Sequence, residues 1–379
     1  MSDLVRVAPG ALIVGKPLPW TVYDADGGVL LKQGHVIHSD SQLEQLFDRG
    51  LFYPRTVTEE ASLAEEAPES PRLRNPFTAY TGLLRTLEVT NTAITSRDDT
   101  ARHRVLGLAR LVDQFCRRAP DSCLALVHLY AVEPTATEQT LFYAIICHFT
   151  ARELGMDEKR IVVLMAAALT ANLALQPFLD KLNASPRSLT DQQRSVIRKH
   201  PELAIRALQD AGIENRLLLK IIEQHHEQPD GSGYPAQLED ERILPEARIL
   251  ALAERYTAMI TRRAYRRRFS IEETLKAIRS AGNNNPRPQF NRALLAALTA
   301  YPPGSLVRLA SNEVAVITRR AGRQTEPVTQ AIISPDGQPY GAAIARDCGL
   351  LDYNIRCPEV MDMMPSMDFG ELWGFHDDI

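Results

Sequence analysis

Between residues 135 and 300 apolar side chains recur every three or four positions, the spacing of helices that bury one face. With Asp157, Thr190 and Ser270 available as caps, the pattern predicts helices over 137–155, 158–175, 190–198, 201–211, 214–227, 246–263, 271–281 and 290–300. Upstream, Leu83, Leu84 and Leu87 form one stripe and Val105, Leu106, Leu108, Ala109 and Val112 another, with an Arg-Asp-Asp-Thr break at 97–100 between them. That helical pair reads either as the first part of the core or as the surface of a homodimer. After Tyr301 the period shortens to two: Val314, Val316 and the Ile332–Ile333 pair are strand-like, and Ser-Pro-Asp-Gly at 334–337 is a turn. A small antiparallel sheet is therefore expected over 302–357.

The first 56 residues show a different texture. Short apolar runs over 12–31 are interrupted by Pro17, Pro19 and the Asp-Ala-Asp-Gly-Gly run at 24–28, which predicts a hairpin. A short helix follows over 39–49, with Leu43, Leu46 and Phe47 on one face and Gly50 at its end. The stretch 57–75 is acidic, aperiodic and reads as a linker. The expected fold class is mainly α: an all-helical bundle with a small α+β N-terminal module and a small antiparallel β tail. The expected divisions are 1–56 (module), 57–75 (linker), 76–134 (helical segment), 135–300 (helical domain) and 301–379 (β-rich tail with a Met-rich end). Trp373 and Phe375 in that end read as docking anchors or, as the commoner case, as part of a terminus that is disordered or packed on its own domain.

Composition narrows the class without deciding the function. The 379 residues are 45% hydrophobic and 24% charged, with a net charge of −4, as in an ordinary globular protein and without the basic excess of a general nucleic-acid binder. The five cysteines have no CxxC spacing and read as reduced thiols. The most apolar stretch, 161–175, carries Thr170 and Asn172 and is too short to span a bilayer. No basic n-region precedes an apolar h-region, so a cytoplasmic location is expected, with no membrane partner.

The candidate chemistry lies in EQHHEQPDGSGYP at 223–235. Neighbouring helical residues point about 100° apart, so His225 and His226 can serve one site only at a helix end. Asp230, Gly231, Ser232 and Gly233 supply the break that ends the helix. On spacing alone, the two histidines read as a metal pocket beside a glycine-built turn or, more ordinarily, as a partly exposed helix end.

The segment HHEQPDGSGYP resembles the signature of the HD-GYP family, a branch of the HD phosphohydrolases whose active members hydrolyse cyclic di-GMP at a two- or three-metal site. The likeness runs from about Thr135 to Leu298 and includes LTDQQRSVIRKHPELA at 189–204, ILPEARILALAERYTAM at 243–259 and RRAYR at 262–266. It implies an HD-GYP-like helical bundle. It also implies departures from the family pattern. The first family histidine falls on Gln139, the His-Asp dyad on Thr170 and Ala171, and the following lysine on Ala174. His200, His225 and His226 are retained, and the distal aspartate becomes Glu254.

The resemblance thus implies no catalytic set, and leaves His200, His225, His226 and Glu254 either as ligands for one divalent transition metal (Fe, Mn or Zn) or as polar residues inherited with the fold. The residues that would meet a ligand or partner are Asp230, Gly231, Gly233, Tyr234 and Pro235 of the loop, with Arg262, Arg263 and Arg266 downstream. Those arginines belong to a run of five in seven residues, through Arg267 and Arg268, interleaved with Tyr265 and Phe269. They read as a dinucleotide-binding patch or, more ordinarily, as a solvated helix end. The expected function is a catalytically degenerate HD-GYP protein that binds cyclic di-GMP or a diguanylate cyclase (GGDEF) partner. The alternatives are a weak metal-dependent phosphodiesterase and a ligand-free docking scaffold.

Overall fold

The computed structural model describes residues 4–7, 12, 14–18, 21–24, 27–48, 52–54, 75–176, 178–179, 185, 189–264, 266–283, 285–322, 325–361 and 364–375. The expected linker, apart from Asn75, lies outside them, as do Tyr265 and the side chain of Phe47. The fold is mainly α, with a small antiparallel sheet towards the C-terminal end.

The central element is a helix that is buried on every side. Helix α5 (Ala136–Glu153) is closed at its start by a capping box, Thr135 Oγ1 accepting from Glu138 N–H and Glu138 Oε2 accepting from Thr135 N–H at 2.7 Å. Almost every residue from Glu138 to Ala151 is buried, because α6 (Glu158–Thr170), α3 (Ala101–Arg118), α9 (Pro245–Ile260) and α11 (Gln289–Leu298) pack around it. Other α-helices among the described residues are α1 (Asp40–Asp48), α2 (Pro76–Thr95), α4 (Pro120–Leu129), α7 (Asp191–Asp210), α8 (Arg216–Gln224), α10 (Ile271–Asn283) and the short α12 (Phe369–Leu372). One continuous apolar core joins the helices from Tyr80 onwards to Leu306, Val314, Val316, Ile332 and Ile333 on the inner face of the C-terminal sheet.

Two antiparallel sheets are present among the described residues. Strands β1 (Leu4–Arg6), β2 (Val22–Tyr23), β3 (Val29–Leu31) and β4 (Phe52–Pro54) form the first, in the order β1-β4-β2-β3. The expected hairpin is β2–β3; Asp24 Oδ1 accepts the Gly28 N–H at 2.6 Å across its turn. This module has a core of its own around Val7, Leu18, Val22, Ile37 and Leu43. Strands β5 (Leu306–Leu309), β6 (Val314–Arg319), β7 (Val328–Ile333), β8 (Pro339–Asp347) and β9 (Ile355–Glu359) form the second, ordered β8-β7-β6-β5-β9. His128 ties it to the bundle: its Nδ1 is 2.7 Å from Pro303 O and its Nε2 2.8 Å from the Tyr256 hydroxyl.

Three expectations are corrected. The helices predicted over 190–198 and 201–211 are one helix, α7, with Pro201 inside it. The stretch 76–129 holds three helices, since Pro120 opens α4 directly after α3. The stretch predicted as helix to residue 263 ends at Ile260, so the arginine run follows the helix and does not form its last turn. At the C-terminal end the described residues pack on the chain itself, with the Phe77 ring 4.9 Å from Trp373 and 5.9 Å from Phe369.

Candidate metal and ligand site

Three imidazoles meet where α7, α8 and the loop after α8 converge. Two of them, His200 and His225, are aimed by backbone carbonyls left free by helix irregularities. Pro201 has no N–H to give to the carbonyl of Ile197, four residues back, and His200 Nδ1 lies 2.6 Å from that oxygen. Helix α8 ends at Gln224, and the His225 Nδ1 takes the same relation to Ile222 O, also at 2.6 Å. His226 follows, its ring centroid 4.0 Å from that of His225 and 4.9 Å from that of His200. The helix end is thus where two sequence-adjacent histidines reach one point.

This arrangement decides the tautomers. Burial pushes His200 and His225 down to about 4, and His226 well below the usual histidine range, so the rings are neutral at pH 7. With Nδ1–H donated to a carbonyl, the Nε2 of His200 and of His225 carries a lone pair. Those two Nε2 atoms face each other at 3.2 Å. Two acceptors that close repel unless a cation or a proton lies between them. Nitrogens bound to one zinc-like ion at about 2.0–2.1 Å each would be separated by roughly 3.0–3.4 Å, so the spacing suits two ligands of one ion. The ligand atoms of all three histidines lie within 4.8 Å of one another.

Glu254 reaches the cluster from α9. Its Oε1 is 3.8 Å from His225 Nε2 and its Oε2 3.9 Å from His226 Nε2. Burial pushes its carboxyl up to about 7, opposed by the nearby His200 and by the Asn172 amide, which donates to Oε1 at 2.6 Å. Three neutral imidazoles and a carboxylate form a donor set that fits one divalent transition ion.

The positions implied to be lost are filled by internal contacts. Gln139 is buried; its Nε2 donates to Pro134 O at 3.2 Å, and its Oε1 accepts from the Tyr143 hydroxyl at 3.3 Å and from Arg263 at 3.1 Å. The Thr170 hydroxyl turns back to Ala166 O at 2.8 Å, and Ala171 is a buried methyl. Ala174 is half-buried beyond the end of α6.

The loop after the histidines is built for close packing. A Cβ on Gly233 would lie 2.3 Å from Gln228 N and 2.4 Å from Glu227 Cα, so only glycine fits that crossing. Gly231 has φ +74°, where glycine is unstrained. Glu227 staples the loop, its carboxylate accepting the N–H groups of Ala236 at 2.6 Å and Leu238 at 2.8 Å. Asp230 is used within its own turn, accepting from Ser232 N–H at 3.0 Å and from the Ser232 hydroxyl at 2.6 Å. Tyr234, joined to Pro235 by a cis peptide bond, stacks over His226 at 4.8 Å, and Arg198 lies 5.9 Å above the tyrosine ring.

The arginine run does not form the single patch that was expected. Arg262 faces Glu133 at 3.6 Å, Arg266 donates to Ala258 O and lies 4.8 Å from the Phe269 ring centroid, Arg267 pairs with Glu273 at 2.7 Å, and Arg268 donates to Met361 O. Of the three proposed for ligand contact, Arg263 is the one that points to the lost-ligand region, through Gln139. Sequence reasoning missed Asn172, Tyr143 and Glu227. Two signals were available: Glu227 directly follows the two histidines, and Asn172 is a polar residue in the most apolar stretch. Beside the histidines a cavity of about 630 Å³ opens, lined by His225, His226, Glu254, Arg255, Arg248 and Phe290 among others.

The HD domain family matches residues 124–285. The chain is 30% identical over 210 residues to a cyclic di-GMP phosphodiesterase of Pseudomonas aeruginosa, covering 54% of this chain and 50% of that one. It is 31% identical over 128 residues to the cyclic di-GMP phosphodiesterase response regulator RpfG of Xanthomonas campestris, covering 33% of each. The chain therefore spans half or less of the length of these relatives. Among solved structures it is similar to an HDG"Y"P protein from Bdellovibrio bacteriovorus, with a TM-score of 0.56 at 16% identity over 78% of this chain and 99% of that one, a likeness of fold. Among the described residues no helix is long and apolar enough to cross a membrane. The three histidines lie within the stretch that the HD domain family matches.

Proposed function

We propose that this protein acts in cyclic di-GMP signalling by binding: its HD domain holds one divalent transition metal on His200, His225, His226 and Glu254 and takes a cyclic dinucleotide beside it, without the paired-metal chemistry of an active hydrolase. The observation that carries the reading is the Nε2 atoms of His200 and His225 facing each other at 3.2 Å. When bound, such an ion supplies Lewis acidity towards a phosphoryl oxygen. The chain's own residues aim the ligands through the Ile197 and Ile222 carbonyls, shield them with Tyr234 and set the charge with Glu254. Against hydrolysis by two ions stand Gln139, Thr170 and Ala171, which offer an amide already in use, a hydroxyl bonded to its own helix and a methyl group.

The curated relatives named as phosphodiesterases favour a second reading, a one-metal phosphodiesterase on the same four ligands. Titration calorimetry of the metal-loaded protein with cyclic di-GMP, followed by chromatography of the incubated nucleotide, separates the two. Binding with the nucleotide intact supports the proposal. Conversion that disappears in His225→Ala establishes the enzyme instead. Absence of binding by either metal-loaded or metal-free protein sinks both and leaves a docking role, for which a GGDEF-domain partner and self-association are the forms to test.

A further inference from the structure

We infer that Asn172 makes this a one-ion site, by holding Glu254 with an amide N–H where a second cation would otherwise bind. The inference rests on the metal reading above and concerns the number of ions and what sets it. Asn172 lies just beyond the end of α6, only 6% exposed, and its Nδ2 donates to Glu254 Oε1 at 2.6 Å. A carboxylate bridging two ions offers each a lone pair. Here one lone pair of Oε1 is occupied by the positive end of an N–H dipole, which repels a cation at that place. The carboxylate is left to serve the histidine side, with Oε1 3.8 Å from His225 and Oε2 3.9 Å from His226.

The surroundings of Asn172 supply no replacement ligand. Gln139 has both amide atoms bonded, Thr170 gives its hydroxyl to Ala166 O, and Ala171 has no donor atom. The guanidinium of Arg263, held by Gln139 at 3.1 Å, already brings a positive charge to that side. A second divalent ion on that side of Glu254 would therefore meet the Asn172 N–H. The amide also acts on the first ion, because a hydrogen bond to a ligating carboxylate fixes its orientation. Removing such a partner typically weakens metal binding 10–100-fold. Asn172 is in this sense a positioning residue.

The test uses the full chain, stripped of metal and titrated with Mn²⁺, with the count from equilibrium dialysis and the coupling of bound ions from electron paramagnetic resonance. The wild type is expected to take one Mn²⁺ with an isolated-ion spectrum. Asn172→Asp is expected to take a second, weaker Mn²⁺ and show an exchange-coupled signal. Asn172→Leu, which keeps the volume and removes the amide, is expected to keep one ion with affinity about 10–100-fold lower. Two ions in the wild type overturn the inference and leave the metal reading standing, as does an Asn172→Asp protein that stops at one ion or an Asn172→Leu protein with wild-type affinity. A wild type that takes no Mn²⁺ overturns the metal reading, and the inference with it.

Discussion

His200 takes up the Ile197 carbonyl that Pro201 leaves free within helix α7. The proline cannot bond Ile197 O within the helix, and the histidine beside it places Nδ1 2.6 Å from that oxygen. A local defect in helix hydrogen bonding thereby orients a candidate metal ligand. Pro201→Ala restores an N–H that competes for Ile197 O. Helix α7 should become more stable, by up to about 3 kcal/mol on helix propensity alone, while the His200 ring loses its tether. The expected outcome is an equal or higher melting temperature with Mn²⁺ affinity about tenfold lower. Calorimetric titration beside a melting curve checks it, and parallel changes in the two quantities refute it.

The buried ionisable groups act on stability in opposite directions. His200 and His225 sit at about 4, below the ordinary 6.5, so the unfolded chain binds more protons than the folded one between those values. Their contribution is full above about pH 6.5 and is lost as the pH falls towards 4. Glu254, raised to about 7 from 4.5, binds its proton more tightly when folded, so its contribution is full below 4.5 and is lost as the pH rises through 7. The three lowered histidines, His226 included, outweigh one glutamate. Metal-free protein should therefore gain a few kcal/mol between pH 4.5 and 6.5 from this cluster and lose part of it above. Urea midpoints across that range check the sign.

Gly233→Ala tests the loop. The added methyl would overlap the backbone of Glu227 and Gln228, so the loop must shift and take Tyr234 off His226. A loss of about 1–3 kcal/mol is expected, as for an overpacked core position. Tyr234→Phe keeps the stacked ring and should leave stability within about 0.5 kcal/mol of wild type. Chemical denaturation of the two variants separates a packing role for the loop from a role for the tyrosine hydroxyl.

Removal of metal should be visible without any substrate. A ligand that binds only the folded state at 100 times its dissociation constant adds about 2.7 kcal/mol. Mn²⁺-loaded wild type should melt higher than the same protein in chelator, and His225→Ala should melt alike in both. An equal response of the two proteins to chelator would place the ion elsewhere.

Much of the fold could be read from the order of the residues. The period of three to four across 135–300, the caps at Asp157, Thr190 and Ser270, and the shift to a period of two after Tyr301 correspond to helices and strands found within a few residues of their expected limits. Those signals are local: a cap or an apolar stripe acts within one or two turns of chain. Pro201 misled for the same reason, since a proline normally ends a helix, and the compensating His200–Ile197 bond depends on a side-chain direction that no pattern of polarity encodes.

The sequence by itself determined which ligands were available: three imidazoles and a glutamate present, and an amide, a hydroxyl and a methyl at the positions where the resemblance leads one to expect donors. Only the tertiary structure decided that His200 and His225 face one another through their Nε2 atoms, that Asn172 engages Glu254, and that the arginine run is divided among separate partners. These are relations between segments up to 129 residues apart, as for Glu133 and Arg262. Residue identity sets what a side chain can donate or accept; which atom it meets follows from the packing of helices around α5.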